Sequence, residues 1–352
     1  MFFKNLKGKR GSRKGAKKTK TIKLFVGALS AACAVLMTAN AFFAPEVSVG
    51  TKKIDYRLIP SGQAVGMKLK TKGVMVVGVE QGNSPAQTAG LQNGDIITKV
   101  NDVALQNTRH FEEILTAVGE NTVTLTILRN DKTITTQLRP QKNQMEQLVC
   151  GMWLRDSAAG IGTVTFFTED KKQFFALGHP VNDMDTAKTY AIRKGQVELV
   201  EIKGAKKAEK NRAGELVGVL SDIAVGTISK NTQTGLVGTV ENKAFIQRDA
   251  LPIATKREVK LGKAKILSTV SERGCQEYEI EILKILDGKG NRDFIIRVID
   301  ERLLEKTGGI VQGMSGSPIL QNEKIVGAVT HVLVNDSTRG YGISIEKMLQ
   351  NQ

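Results

Sequence analysis

Cysteine, histidine and aromatic side chains are all scarce in this chain. It has three cysteines in 352 residues. Cys33, Cys150 and Cys275 each stand alone, without Cys-x-x-Cys spacing, which argues against a metal-stapled domain. Cys150 and Cys275 are expected to be buried free thiols. No metal and no cofactor is expected. Histidine is equally sparse: His110, His179 and His331 are the three candidates for chemistry that needs an imidazole. Aromatics make up 5% of the chain, and no long helix is evident from residue 147 onward. Glycine, by contrast, is abundant at 35 residues. It is scattered among short Val- and Ile-rich runs, the texture of β structure.

Acidic residues are missing from one region. Residues 1–23 hold ten Lys and Arg and no Asp or Glu, so +6 of the net +16 belongs to the remaining chain. Residues 24–45 then carry no charge at all. That length suits a span of about 20 apolar residues, and the basic flank would keep the N-terminus cytoplasmic. Small residues around Ala39-Asn40-Ala41 also suit a signal-peptidase site. Anchor and cleaved signal both remain open, and both place the chain from 46 onward outside the cytoplasm. The basic tail would stay beside the membrane, and no nucleic-acid motif follows it, so no nucleic-acid partner is expected.

Length suits two domains plus the tail. Residues 46–61 read as a linker. From 62 to 142 a small α/β domain is expected. Val74 to Val79 is a buried strand. Thr108 to Val118 has helical spacing, with Phe111, Ile114, Leu115 and Val118 on one face and Thr108 as cap. Asn130-Asp131 turns one strand into the next. The string SPAQTAGLQNGDIITKVNDVAL resembles a bacterial PDZ domain. That likeness implies a peptide ligand added at a sheet edge, with a carboxylate-binding loop near Thr71 to Gly73. His110, at the start of the helix, reads as solvated. Residues 147–352 show repeated strands, such as the alternation around Tyr278, Ile280 and Ile282, and read as an all-β barrel or sandwich. Lys203 to Arg212 reads as a solvated basic loop.

Gly313-Met314-Ser315-Gly316-Ser317-Pro318 is the sharpest signal. A serine nucleophile needs an exposed hydroxyl on a tight turn, with backbone N–H groups aimed at the developing oxyanion. The pattern resembles the nucleophile turn of chymotrypsin-like peptidases. By that likeness Gly313 and Ser315 supply the oxyanion-hole N–H groups, and a double β-barrel follows. Met314 stands where that family has Asp, so trypsin-type zymogen activation is not expected. His179, at the end of an apolar strand in Leu177-Gly178-His179-Pro180, is the expected general base. His331, in the strand after the turn, would line the pocket or fill the core. The acid is left open by spacing: Asp183 is near His179, and Asp300 is fifteen positions before Ser315.

Together the LGHP and GMSGSP motifs, the PDZ-like stretch, and the blocks at 226–240, 297–336 and 339–346 resemble the stage IV sporulation protein B (SpoIVB) serine peptidases. The resemblance implies a catalytic set of His179, Asp300 and Ser315. It also implies a sporulation signalling endopeptidase of the forespore inner membrane and intermembrane space. Such an enzyme processes itself and cleaves a membrane-bound inhibitor of an intramembrane protease, releasing pro-sigma-K processing. Its PDZ domain would hold a peptide ligand or the enzyme's own cleaved terminus. The competing reading is a non-catalytic PDZ scaffold with a relic peptidase fold.

Overall fold

Alternation of apolar and polar residues sets most of the architecture. The computed structural model describes residues 56–209, 211–287 and 290–350. In chain order the first strands are β1 (Arg57–Pro60), β2 (Ala64–Val79), β3 (Ile96–Val100), β4 (Val103–Ala104), β5 (Val123–Arg129) and β6 (Lys132–Leu138). The short β7 (Gln141–Lys142) and β8 (Leu148–Val149) pair with each other. Then come β9 (Met152–Thr168), β10 (Gln173–Ala176), β11 (Ile192–Lys206), β12 (Glu215–Thr232), β13 (Gly235–Val240) and β14 (Leu251–Pro252). The last six are β15 (Gly262–Thr269), β16 (Cys275–Ile285), β17 (Phe294–Val298), β18 (Pro318–Gln321), β19 (Lys324–Leu333) and β20 (Asp336–Ser344). Four α-helices, α1 (Pro85–Thr88), α2 (Thr108–Val118), α3 (Glu301–Thr307) and α4 (Ile345–Gln350), and one 3-10 turn at Lys243–Phe245 complete the described set.

Strands β15 to β20 close into a barrel in the order β15-β16-β17-β20-β19-β18. In β16, Tyr278, Ile280 and Ile282 point inward and are buried, while Glu277 and Glu279 face out. They meet Phe294, Ile296 and Val298 of β17 in one core. The remaining long strands form a twelve-stranded sheet, β14-β1-β9-β10-β13-β12-β11-β2-β3-β5-β6, with β4 on β3.

The PDZ-like half is the end of that sheet. Val74, Val76, Ile97, Leu125 and Ile127 pack under Phe111 and Leu115 of α2. The helix has the bounds expected, but its N-cap is Asn107, whose side chain accepts from the His110 N–H; Thr108 is the first helical residue. Asn130 and Asp131 both have positive φ, as a two-residue hairpin turn requires.

Two expectations about the fold are corrected. The first is a PDZ domain set apart from the peptidase domain, with a boundary between 142 and 147. Strands β2 and β9 have 16 and 17 residues, long enough to run out of one half into the other. Ala64 to Lys70 pair with Ser157 to Thr163, and Met75 to Val79 pair with Met152 to Arg155. The sheet curls far enough for β9 to pair with β2 as well as with β1 and β10, yet it stays joined to β3, β5 and β6. The six strands β9-β10-β13-β12-β11-β2 therefore close on one another through the β2–β9 pairing, and β2 and β9 run on from that ring into the PDZ-like half. Residues 57–60, inside the expected linker, form β1 and pair with β9 and β14. Thr71 to Gly73 is not an open loop either: it lies within β2, where a Cβ at Gly73 would stand 2.3 Å from the Ile97 carbonyl oxygen.

The second correction concerns the membrane. Among the described residues no helix is long and apolar enough to cross a bilayer. The segment expected to do so, 24–45, lies outside them, as do the basic tail and Cys33. The expected transmembrane or signal helix, and the exported localisation resting on it, thus have no element of this structure to carry them and are not retained.

Candidate active site

The serine turn is held by backbone geometry that glycine alone provides cheaply. Gly313 and Gly316 have φ of +98° and +97°. A Cβ on Gly316 would stand 2.1 Å from the Thr163 carbonyl oxygen. Around Ser315 the main chain is tied down: Met314 N–H donates to Val311 O (3.1 Å), Gly316 N–H to Val329 O (2.8 Å), and Ser317 N–H to Met314 O (3.0 Å). Two amides are left over. Among the described residues, the N–H groups of Gly313 and Ser315 make no hydrogen bond. Buried amides normally find partners, so this pair is available to an incoming oxygen.

Thr163 of β9, which no sequence motif singles out, locks the turn from below. It is fully buried. Its hydroxyl donates to Gly313 O (2.7 Å) and its N–H to Ser315 O (3.1 Å). Met314, where an aspartate was lacking, is fully buried and fills core space. Ser315 itself is half-buried, and its hydroxyl donates to the Thr330 carbonyl at 2.7 Å.

His179 follows β10 through a tight reversal. Leu177 and Gly178 have φ of +72° and +73°, and Gly178 N–H bonds back to Ala176 O at 3.0 Å. A leucine in this region is strained, and such strain persists where surroundings over-determine it. Here Leu177 is buried in the core beside Val164 and Ala176. His179 Nδ1 lies 2.9 Å from the Pro180 carbonyl. A carbonyl only accepts, so the proton sits on Nδ1 and Nε2 carries the free lone pair. Burial pushes the His179 pKa below the usual value, against the raising effect of the Pro180 carbonyl.

His331 on β19 stands beside it, with ring centroids 4.9 Å apart. Desolvation, then the charges of His179 and Arg292, push His331 down to about 4. His331 is exposed as a residue, so solvent screens part of the charge effect. Both rings, with Ser315, line one cavity of about 490 Å³.

Neither candidate acid reaches His179. Asp183 is buried and accepts from Arg155, Tyr190 and Thr186. Burial alone would raise its pKa, but these donors outweigh it and hold it at about 2. Asp300 caps α3: its carboxylate accepts from the N–H groups of Arg302 and Leu303 and pairs with the Arg302 guanidinium at 2.8 Å. That pairing, against burial, lowers its pKa. It also accepts from Glu279 N–H at 3.2 Å. The structure therefore brings together Ser315, His179 and His331, and sets Asp300 at the root of the helix leading into the serine turn. His110 lies at the start of α2, as expected. Cys150 and Cys275 are free thiols, the first buried and the second half-buried, and burial pushes Cys150 up to about 11.

Known proteins share parts of this chain. The family model SpoIVB peptidase S55 matches residues 146–349, and a PDZ domain model matches 64–139. The Do-like serine protease HtrA of Lactococcus lactis subsp. cremoris (strain MG1363) is 33% identical over 100 residues, 27% of this chain and 24% of that protein. This chain thus spans about a quarter of the length of the curated relatives it matches. Among solved structures, the active form of the Rv3671c protease from M. tuberculosis is 13% identical, covering 68% of this chain and 83% of that one, with a TM-score of 0.36. The PDZ domain of an SdrC-like protein from Listeria monocytogenes is 23% identical, covering 24% of this chain and 87% of that one, with a TM-score of 0.22. Scores this low carry no argument about architecture.

Proposed function

Because the chain belongs to the SpoIVB peptidase S55 family, and is a serine peptidase carrying a PDZ domain, we propose that Ser315 is its nucleophile and His179 its general base. One observation carries this reading: the two side chains line a single cavity, and the amides of Gly313 and Ser315 beside it are unbonded. In the resting arrangement the Ser315 hydroxyl donates to Thr330 O. For attack it rotates towards His179 Nε2, which takes the proton as Oγ bonds to the scissile carbonyl carbon. The oxyanion is received by the two amides; one such donor is worth about 10²–10³ in rate. His179 then gives the proton to the leaving amine, and water hydrolyses the acyl-enzyme by the same route.

Asp300 belongs to the catalytic set by family likeness. Its contacts support a positioning role, through the cap of α3. The family likeness also supports a signalling endopeptidase of sporulation that processes itself and cleaves a regulator, the inhibitor of an intramembrane protease, to release pro-sigma-K processing. For the PDZ half, an extended peptide has an edge to join. Met152–Arg155 pairs with β2 on one side, and α2 is tied next to it through Thr108 and Asp156.

The test uses the purified full chain. Ser315→Ala is expected to abolish both proteolysis and labelling by a fluorophosphonate while leaving the circular dichroism spectrum unchanged. Losing the nucleophile of such a catalytic unit costs about 10⁶ in kcat in subtilisin. Undiminished cleavage by Ser315→Ala would rule out the nucleophile, and equal inertness of the wild type would favour a non-catalytic scaffold.

A further inference from the structure

The cavity beside Ser315 has a chemical character of its own. None of the residues that line it is Asp, Glu, Lys or Arg. Its polar lining consists of the reacting groups and their neighbours, Ser315, His179, His331, Thr330, Gln312 and Asn182. The rest is aliphatic or glycine, apart from one proline.

The position of the reacting carbonyl decides which wall matters. With the carbonyl carbon at Ser315 Oγ and its oxygen at the amides of Gly313 and Ser315, the substrate residue that carries the carbonyl meets the cavity walls nearest the serine, which come from two segments. One is 310–313, immediately before the nucleophile. The other is the end of β19, immediately after it in space. Ile310 and Val311 form the first wall and are buried. Val332 and Val334 form the second, with Val332 half-buried and Val334 47% exposed at the rim. Behind Gly313 the space is closed by Leu216, which a Cβ there would approach to 2.9 Å.

Resting on the serine-peptidase reading above, we infer that this cleft selects peptides with an aliphatic side chain (Val, Leu, Ile or Met) on the N-terminal side of the scissile bond. A charged side chain placed there would lose its hydration and meet no counter-charge, which is unfavourable without a partner. An aliphatic one would exchange water for the Ile310, Val311 and Val332 surfaces. Ile310, Val311 and Val332 are thus the specificity-determining residues. Val332 is the most permissive of them to change, because it is half-buried and near the open end of its strand.

The experiment is a cleavage profile of the full chain on an internally quenched peptide library, with the cut bonds read by mass spectrometry. A fluorophosphonate label on Ser315 is run in parallel. The expected result is a kcat/KM after aliphatic residues at least about 100-fold above that after Lys, Arg, Asp or Glu; even one methylene is worth about 10–200-fold in such pockets. Val332→Asp is expected to narrow that gap for Lys and Arg alone. Val334→Asp, at the exposed rim, serves the same purpose should Val332→Asp not fold. Equal or faster cleavage after charged residues in the wild type would overturn the inference, as would labelling without any cleavage after aliphatic residues. Absence of both cleavage and labelling would instead sink the peptidase reading on which it rests.

Discussion

His331 and His179 stand ring against ring at 4.9 Å, so a proton on one opposes a proton on the other. Both are pushed below the usual histidine value, His331 to about 4. In the unfolded chain each returns to about 6.5. As pH falls through that value, the unfolded state takes up protons before the folded state does. Stability therefore decreases on acidification from about 6.5 down to about 4, where folded His331 protonates too. Denaturant midpoints measured over that range are expected to fall with pH in the wild type and to fall less steeply in His331→Gln. An identical slope in both would remove His331 from the account. For activity, with His179 as the proposed base, burial keeps it neutral, so the acid limb of kcat/KM is expected below the ordinary histidine value. The serine and histidine motifs were legible because turn chemistry is local: Gly-flanked Ser315 and the Leu177-Gly178 reversal each need few neighbours to be recognised. Thr163 was not legible, since its partners lie 150 positions away. Asp183 misled for the opposite reason. It is near His179 in sequence, but the loop turns it onto Arg155 of β9.

At the scale of elements, α3 is short but well defined, running from Asp300 as N-cap to Gly308, whose φ of +70° suits its stop. It leads directly into the segment Ile310 to Ser315. Losing the cap costs about 1 kcal/mol in typical helices and frees the approach to the serine turn. Asp300→Ala is therefore expected to lower both melting temperature and kcat, whereas Asp300→Asn, which still caps well, is expected to recover most of each. An Asn variant as inactive as Ala, with normal stability, would instead support a direct electrostatic role for the carboxylate. Family likeness had put Asp300 in the catalytic set, but its capping geometry could not be read beforehand, because a seven-residue helix leaves almost no periodic signal. The strands fared better. The β16 alternation and the Thr108–Val118 helix were readable from local pattern. What could not be read is where a strand ends in space. The run from Ala64 through Val79 has a glycine at 73 and lysines at 68, 70 and 72, which look like a boundary, yet pairing partners on both sides carry it through as one strand.

For the whole molecule, the family boundaries at 64–139 and 146–349 divide a sheet that the structure keeps undivided. The PDZ-like half takes Met152 to Arg155 as the partner of Met75 to Val79, and Met152 and Leu154 pack on its core. A fragment of residues 62–142 would expose that edge and lose those contacts. It is expected to melt well below the intact chain and to give poorly dispersed amide resonances, while a fragment extended to about 157 should improve on both. A fragment 62–142 as stable as the whole would show that the shared strand contributes nothing to the PDZ half.

Continuity of β9 has a mechanical consequence. A β-strand is nearly inextensible, with a rise of about 3.4 Å per residue. It behaves as a connecting rod, with Arg155 at one end holding Asp183 in the loop after His179 and Thr163 further along holding the turn of Ser315. A slide of the whole strand by one residue would displace both couplings by the same length, far beyond what a hydrogen bond tolerates, and would turn every side chain to the opposite face. The turn of Ser315 and the loop after His179 are thus kept in phase by a single rod, whose far end lies in the PDZ-like half.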